Sequence, residues 1–335
     1  MDSITQLRLT RALVDIDSTT GREGDAGVFI AATLRGLGYH VVEQRVSEGR
    51  FNVIATLEPP IVVLSTHFDC VPPFMASRES GGRLYGRGSC DAKGTLVAQI
   101  AAAERLRMAG ERRVGLVFVV GEERGSDGAK LANTIAAGSR FLINGEPTDN
   151  RLGRATRGVY RVRLRASGRA AHSSQPELGE SAIEKLVDAI VELRSMDWPS
   201  DSILGTTYYT VGLIRGGVAP NVIPPDADAE VMFRTVGDAA DVRRLLDARF
   251  SGRLGLEDVL DVPPVRLRAV PGFDPAVFSF TTDIPFLDRW GEPLLVGPGS
   301  VTLAHTADEH VEIADLERSV EIYAQLATSL IAQSA

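Results

Sequence analysis

The 335-residue sequence predicts an α/β protein in which helices cover both faces of a mixed, mostly parallel β-sheet, with a smaller α+β domain inserted into the first. Three observations predict this fold. Apolar strand runs alternate with helical segments up to about residue 155. The sequence pattern then changes to strands that alternate apolar and charged residues. After about residue 271 an apolar strand and a long helix follow.

The first part of the main domain is predicted over residues 1–155. Two amphipathic helices open it, near 3–16 and 25–36. The segments that follow are, in order, the strands HVVEQRV, FNVIATL and IVVLST, the helix AKGTLVAQIAAAERLRMAG, the strand RVGLVFVV, a helix near 127–137 and the strand RFLING. Apolar strands separated by helices are typical of a parallel sheet that is buried on both faces.

Residues 156–271 are predicted to form the inserted domain. Its strands and helices follow the order β-α-β-β-α-β, with helices at 180–195 and 238–250 and a last strand near 263–269. This order is that of a ferredoxin-like two-layer unit. Residues 272–335 then complete the main domain with a strand in PLLVGPGS and a helix at 314–333.

Composition narrows the classes of partner. The net charge of -8 and the pI near 5.3 argue against a nucleic-acid partner, which requires a basic surface. No segment approaches the ~18 continuous apolar residues of a membrane span, so we expect no membrane partner and a cytoplasmic location. The two cysteines, Cys70 and Cys90, are too few for a disulfide framework and are interpreted as buried thiols.

Metal-binding residue types follow three predicted strands. His67 follows IVVLST, Glu122 and Glu123 follow RVGLVFVV, and Glu146 follows RFLING. Ligands of open α/β sheets bind outside the carboxyl ends of the parallel strands. We therefore expect these side chains to meet at one edge of the sheet.

Each of these residues also has an ordinary structural interpretation. Asp91 stands where a glycine-rich loop becomes a helix, so it is either the N-cap of that helix or a metal ligand. Glu122 and Glu123 could be a solvated loop pair, His67 a structural histidine, and His305 a histidine of a surface loop. Their coincidence at predicted strand ends favours a common site.

The chemistry of these side chains suits Zn²⁺, with Mn²⁺ or Co²⁺ as substitutes. One carboxylate that bridges two ions about 3.5 to 4 Å apart gives a hydrolytic centre that activates water and polarises a carbonyl group. A further glutamate can then take the proton of that water. The neighbours Glu122 and Glu123 can divide these tasks, one as base and one as ligand.

Seven motifs resemble those of the co-catalytic zinc hydrolases that include acetylornithine deacetylase, succinyl-diaminopimelate desuccinylase, aminoacylase and carboxypeptidase G. They are, in order, STHFDCVP, LYGRGSCDAKG, GEERGSDG, NGEPTD, GRAAHSSQPELGESAI, GGVAPNVIPPDADAEVMFR and GPGSVTLAHTADEHVEI. The resemblance covers almost the whole chain. It implies a zinc-exopeptidase-like fold with an inserted lid domain through which some members dimerise.

The resemblance implies two Zn²⁺ per chain. His67 and Glu146 would bind one ion, Glu123 and His305 the other, and Asp91 would bridge them. The family also has a cis peptide bond after the bridging aspartate.

The resemblance also implies catalytic roles. Glu122 would be the general base that later protonates the leaving amine, and Asp69 would hydrogen-bond the imidazole of His67 and fix its tautomer. His172 would stabilise the oxyanion from the lid, with a structural turn histidine as the alternative interpretation.

Three residues are implied in substrate binding. Arg234 and Asn221 match lid positions that bind the substrate carboxylate, a task that suits a guanidinium fork. Gly299 matches a loop whose backbone contacts the substrate. The alternative for Arg234 is an exposed strand arginine.

The segment FTTDIPFL and the identity of Glu146 favour the acetylornithine and acetyl-lysine deacetylase branch. We therefore expect hydrolysis of an N-acyl, and specifically N-acetyl, amino acid such as N-acetylornithine, a step of arginine biosynthesis, by a homodimer. The alternatives are a metallo-exopeptidase or dipeptidase, a desuccinylase, and a non-catalytic metal-binding relative. The last is disfavoured because Glu122 accompanies all five candidate ligands.

Overall fold

A computed structural model describes residues 2–136 and 138–334. The described residues of the first stretch form four α-helices and eight strands. These are α1 (Ser3–Val14), α2 (Gly24–Gly36), β1 (His40–Ser47), β2 (Arg50–Thr56), β3 (Val62–His67), β4 (Arg78–Ser80), β5 (Arg83–Tyr85), α3 (Lys93–Met108), β6 (Val114–Val119), α4 (Asp127–Ala132), β7 (Phe141–Asn144) and β8 (Leu152–Thr156).

The middle stretch contains two helices and seven strands. These are β9 (Gly158–Ser167), α5 (Ala182–Leu193), β10 (Ser200–Asp201), β11 (Gly205–Thr206), β12 (Tyr208–Gly216), β13 (Asp226–Thr235), α6 (Ala239–Phe250), β14 (Gly255–Val262) and β15 (Val265–Arg266). The last stretch contains β16 (Pro275–Phe278), β17 (Glu292–Leu295), β18 (His310–Glu312) and α7 (Ile313–Ala332). Short 3₁₀ turns occur at Glu122–Arg124, Asn133–Ile135, Pro176–Leu178, Ile284–Phe286 and Asp288–Trp290.

The chain divides into two compact units. Unit 1 contains the described residues up to Arg154, Leu267–Ala276, and the described residues from Thr282 onward. Unit 2 contains Ala155–Arg266 and Val277–Thr281. The ranges 1–155, 156–271 and 272–335 remain a prediction of where the domains begin and end.

Unit 1 is built on a six-stranded sheet in the order β1-β2-β6-β3-β7-β17. Strands β6, β3, β7 and β17 are parallel to one another, whereas β2 is antiparallel to both β1 and β6. Successive side chains of a strand point to opposite faces of the sheet, and both faces are covered. Val62 and Leu64 join the core formed with α1, α2, α3 and α7, while Val63 packs with α4 and Trp290 on the other side. The predicted fold class is confirmed.

Unit 2 contains an antiparallel four-stranded sheet in the order β12-β13-β9-β14. Its buried face packs on α5 and α6, as shown by Leu164 of β9, Leu186 of α5 and Leu246 of α6 in one core cluster. The predicted strand near 263–269 forms only as the short β15, which pairs with β8, and it is not the last strand of this sheet. The strand that pairs with β9 is β14 at Gly255–Val262, and Pro263 and Pro264, which have no N–H to donate, interrupt the chain after it.

The composition of β14 explains this error. Its sequence GLEDVLDV is rich in acidic residues, which are depleted in strands and lower the apparent strand propensity. Two of these acids are paired, because Glu257 forms an ion pair with Arg165 of β9 at 2.5 Å and Asp258 one with Arg243 of α6 at 2.6 Å.

Among the described residues, no helix is long and apolar enough to span a membrane.

Candidate metal centre

Three parallel strands of unit 1 deliver the predicted residues to the same edge of the sheet. His67 is the last residue of β3, the turn Glu122–Arg124 follows β6, and Glu146 lies two residues beyond β7. Parallel strands end with their carboxyl ends side by side, so residues at these positions become neighbours. The structure brings them together with Asp91 and His305 in two groups that share Asp91.

The first group contains His67, Asp91 and Glu146, all buried. Nε2 of His67 lies 3.0 Å from Oδ1 of Asp91 and 3.7 Å from Oε2 of Glu146. Nδ1 of the same ring lies 3.0 Å from the main-chain oxygen of Asp69. Because a carbonyl oxygen only accepts hydrogen bonds, Nδ1 carries a proton and Nε2 is the atom that faces the carboxylates.

The second group contains Asp91, Glu123 and His305. Nε2 of His305 lies 2.9 Å from Oε1 of Glu123 and 3.3 Å from Oδ2 of Asp91. His305 has a φ of 65°, in the left-handed region that side chains other than glycine rarely adopt. An outlier of this kind at a polar cluster is typical of a functional site.

Asp91 is not the N-cap of the following helix. Helix α3 begins at Lys93 after Ala92, and no side chain caps it. The two carboxylate oxygens of Asp91 instead face different histidines, His67 and His305. The peptide bond between Asp91 and Ala92 is cis.

Negative charge is concentrated in this small volume. Burial raises the pKa of Glu146 to about 7. Burial also raises the pKa of Glu122 well above its usual range, and the charges of Glu146 and Asp283 add to this effect. One oxygen of Glu146, Oε1, is buried without a hydrogen-bond partner in the described part of the chain. The site therefore has unsatisfied capacity for a cation.

The histidines respond in the opposite direction. Hydrogen bonds to Asp91 and Glu123 raise the pKa of His305 to about 10. For His67, burial disfavours the charged ring, but hydrogen bonds to carboxylates outweigh it and raise the pKa. A site that stabilises imidazolium here also stabilises a metal cation once Nε2 has lost its proton. Two imidazoles with three carboxylates form a donor set that fits two divalent ions such as Zn²⁺.

The turn after β6 is fixed by neighbouring side chains. Asn52 accepts a hydrogen bond from the first N–H of the segment 120–128 at 3.2 Å and donates to its last carbonyl at 2.8 Å. Arg50 forms ion pairs with Asp127 at 2.7 Å and with the buried Glu23 at 2.8 Å. The candidate base and its neighbour therefore lie on a constrained turn.

Asp69 contacts this turn more closely than it contacts the imidazole. Its carboxylate accepts the backbone N–H of Glu122 at 3.0 Å and that of Glu123 at 3.2 Å, and also the hydroxyl of Thr20 at 2.9 Å. Its Oδ1 lies 3.4 Å from Nδ1 of His67. The ring of His67 is thus oriented mainly by the main chain of residue 69, while the side chain positions the Glu122–Glu123 turn.

Three predicted residues belong to unit 2. His172 is exposed, and its Nδ1 lies 2.8 Å from the hydroxyl of Ser174. The segment around it pairs with the segment of Asn221, whose carbonyl accepts the N–H of Ser173 at 3.0 Å. Arg234 lies half-buried on β13, and burial lowers its pKa. Within the described ranges no carboxylate pairs with its guanidinium group.

Gly299 lies in unit 1 and cannot be replaced without strain. Its φ is 76°, and a Cβ would lie 2.5 Å from the sulfur of Cys90. Its carbonyl accepts the N–H of Asp149 at 2.7 Å.

Sequence reasoning did not single out three residues that lie around the centre. Thr20 donates to Asp69, and Glu309 accepts the N–H of Asp91 at 3.1 Å. Asp283 is buried, its two carboxylate oxygens have no hydrogen-bond partner among the described residues, and burial raises its pKa to about 7. Glu309 and Asp283 lie within segments that were already noted, AHTADEH and FTTDIPFL, but acidic residues there gave no indication of burial.

Comparison with known proteins gives a consistent assignment. The family model described as "Peptidase dimerisation domain" matches residues 154–253. A peptidase M20 domain-containing protein of Schizosaccharomyces pombe is 37% identical over 333 residues, covering 96% of this chain and 83% of the relative. The chain belongs to the M20 peptidase family.

Two further similarities fit this membership. A probable carboxypeptidase of Aspergillus terreus is 35% identical over 368 residues, covering 96% of this chain and 85% of that protein. The solved structure of an aminopeptidase from Bacillus cereus has the same fold, with a TM-score of 0.82, 19% identity and 99% of each chain covered.

Membership of the M20 family confirms the predicted enzyme class, a hydrolase of amide bonds. It does not distinguish the acetylornithine deacetylase branch from other members, so that assignment stays a prediction.

Metal binding can be tested with the histidines of unit 1. At a free Zn²⁺ concentration roughly 100 times the Kd, we expect the midpoint of thermal unfolding of the chelator-treated chain to rise by about 5 to 10 °C. His305→Gln should bind one ion instead of two, because it removes one imidazole. Metal content after dialysis measures the stoichiometry. His40→Gln, at an exposed histidine outside both groups, is the matched control, and two retained ions in His305→Gln would contradict the assignment.

Proposed function

We propose that this M20 family member hydrolyses the amide bond of an N-acyl amino acid at a centre of two Zn²⁺ ions. One observation carries the proposal. Asp91 directs one oxygen to each of two histidines, while Glu122 lies outside both ligand groups and next to Glu123. This arrangement supports a bridging role for Asp91, a ligand set for each of two ions and the role of base for Glu122.

In the proposed reaction, Glu122 takes a proton from the attacking water. The oxygen of this water forms a bond with the acyl carbon, the carbon–nitrogen bond breaks, and Glu122 returns the proton to the leaving amine. The two ions, when bound by His67, Glu146, Asp91, Glu123 and His305, would polarise the carbonyl group and lower the pKa of the water. The raised pKa of Glu122, caused by burial, suits a group that must both take and return a proton.

Roles towards the substrate are proposed for four further residues. Arg234 would bind the substrate carboxylate, a role supported by its half-buried guanidinium group with no ion pair in the described part of the chain. Asn221 would assist it and His172 would stabilise the oxyanion, as the family resemblance implies. The backbone of Gly299 would contact the substrate.

The acyl group is proposed to be acetyl, and the amino acid one such as ornithine. The segment FTTDIPFL and the presence of Glu146 support this choice. An exopeptidase that cleaves between two amino acids is the second candidate, and it is supported by the names of the relatives, which include a probable carboxypeptidase. A desuccinylase on the same scaffold is the third.

A hydrolysis screen distinguishes these candidates. N-acetyl, N-succinyl and N-formyl amino acids and dipeptides are offered to the chain with Zn²⁺, Co²⁺ and Mn²⁺ in turn. We expect the highest kcat/KM for an N-acetyl amino acid. Cleavage of dipeptides without cleavage of N-acetyl amino acids would move the assignment to the exopeptidase, and no hydrolysis with two ions bound would favour a non-catalytic relative.

The roles of the adjacent glutamates can be separated by substitution. Glu122→Gln should lower kcat by roughly 10² to 10⁴-fold and keep two bound ions, because it removes only the base. Glu123→Gln should reduce the number of bound ions to one. Metal analysis and kinetics on the same preparations measure both effects. The reverse pattern would exchange the two roles.

We further propose that the protein forms a homodimer through unit 2. The match to a dimerisation domain over residues 154–253 supports this. Strand β12 is an edge strand of the unit 2 sheet, and its apolar residues Leu213 and Ile214 are 47% and 57% exposed. An exposed apolar edge strand is a surface that favours pairing with a second chain.

Sedimentation over a range of concentrations tests the dimer. The wild-type chain should sediment with twice its mass of 36.0 kDa. Leu213→Glu should raise the dissociation constant at least roughly tenfold, because it buries a charge at the interface. Val28→Glu on α2 of unit 1, at a position 58% exposed, is the control. A wild-type monomer at all concentrations would contradict the proposal.

A further inference from the structure

Glu309 is a buried carboxylate that binds backbone rather than side chains of the candidate metal centre. Its Oε1 accepts three backbone N–H groups, from Gly88 at 2.8 Å, Asp91 at 3.1 Å and Cys90 at 3.2 Å. Its other oxygen accepts a short hydrogen bond from the guanidinium group of Arg87, which is also buried. Its main-chain carbonyl accepts the N–H of Gly86 at 3.1 Å. Five of the six residues of the loop 86–91 thus donate a hydrogen bond to Glu309.

Only a carboxylate fits this position. Three N–H groups and a guanidinium group all donate to Glu309, and a carboxylate is the side chain that only accepts hydrogen bonds. A glutamine would turn two N–H donors towards one of these sets of donors. Gly88, one of the three backbone donors, is restricted to glycine, because it has a φ of 85° and a Cβ there would lie 2.7 Å from the sulfur of Cys70.

The position of Glu309 in the chain links both ligand groups. It lies four residues after His305, a member of the second group, and it fixes the backbone of Asp91, the member that both groups share. Both the side chain and the main-chain carbonyl of Glu309 therefore join the loop 86–91 to the segment 305–310. Any shift of the Asp91 backbone would change the distances to His67 and to His305 together.

We propose that Glu309 is a positioning residue that sets the place of Asp91 for both metal ions. This inference rests on the proposed metal centre. It differs from a purely structural role of a buried ion pair in one measurable respect. If Glu309 is purely structural, its substitution lowers the stability of the fold. If it is a positioning residue, its substitution lowers the affinity of the folded chain for both ions at once.

The test compares Glu309→Gln with Glu312→Gln in the full chain. Glu312 lies three residues further along and pairs with Arg83 at the surface, at 2.6 Å with both side chains about half exposed, so it is a matched glutamate–arginine pair outside the centre. Competition with a chromogenic chelator measures Zn²⁺ affinity, and circular dichroism confirms folding. We expect Glu309→Gln to lower the affinity for both ions by about 10 to 100-fold and to lower kcat more than it changes KM. Glu312→Gln should match the wild type.

Wild-type affinities for both ions in folded Glu309→Gln would overturn the inference while leaving the proposed hydrolysis intact. A loss confined to one ion would also overturn it, since Asp91 serves both. If Glu309→Gln does not fold, Arg87→Lys provides the test, because lysine keeps the positive charge beside Glu309 and lacks the guanidinium group. The affinities for both ions should then fall together by several fold. Unchanged affinities would overturn the inference. A wild-type chain that binds fewer than two ions would contradict the metal centre itself.

Discussion

The crowding of carboxylates at one edge of the unit 1 sheet is the constraint to which the rest of this region responds. Asp91 faces the imidazoles of both groups, Glu146 and Glu123 each face one of them, and Glu122 adds a fourth acid beside them. Such a group is unfavourable in a buried place unless positive charge compensates it. The sheet supplies the positions, because parallel strands end side by side, and the histidines supply part of the compensation.

Two further carboxylates, Asp69 and Glu309, solve a different problem. Each is buried, and each accepts backbone N–H groups of a loop that presents a member of the metal groups. Asp69 binds the Glu122–Glu123 turn, and Glu309 binds the loop before Asp91. Backbone positions are set through main-chain N–H groups and not through the carboxylates of the metal groups, which leaves those carboxylates free for ions and substrate. Fixed surroundings of this kind are what precise ligand geometry requires.

The sequence carries strong signals for the strands and for the residues at their ends. A strand buried on both faces is largely apolar, as the first half of β3 and the whole of β6 are, so a histidine or glutamate at or just beyond its end stands out in the sequence. Hydrogen bonds to backbone amides produce no such pattern in the sequence. Every residue except proline has an N–H group, so nothing in the letters around Gly88 or Glu122 indicates which acid accepts from them. Strand β14 escaped prediction for a related reason, since its acidic residues are compensated by arginines of other elements.

The interruption of unit 1 by unit 2 has a consequence for the order of synthesis. Strand β17, which completes the sheet beside β7, and helix α7, which packs on α3, both follow unit 2 in the chain. His305 and Glu309 lie in the same late stretch. A growing chain therefore has its inserted unit available for folding while the main sheet still lacks an edge strand and a covering helix. The acids of the early stretch are left without one of their histidines until the stretch after unit 2 has been synthesised, so the complete centre cannot form before unit 2 has been made.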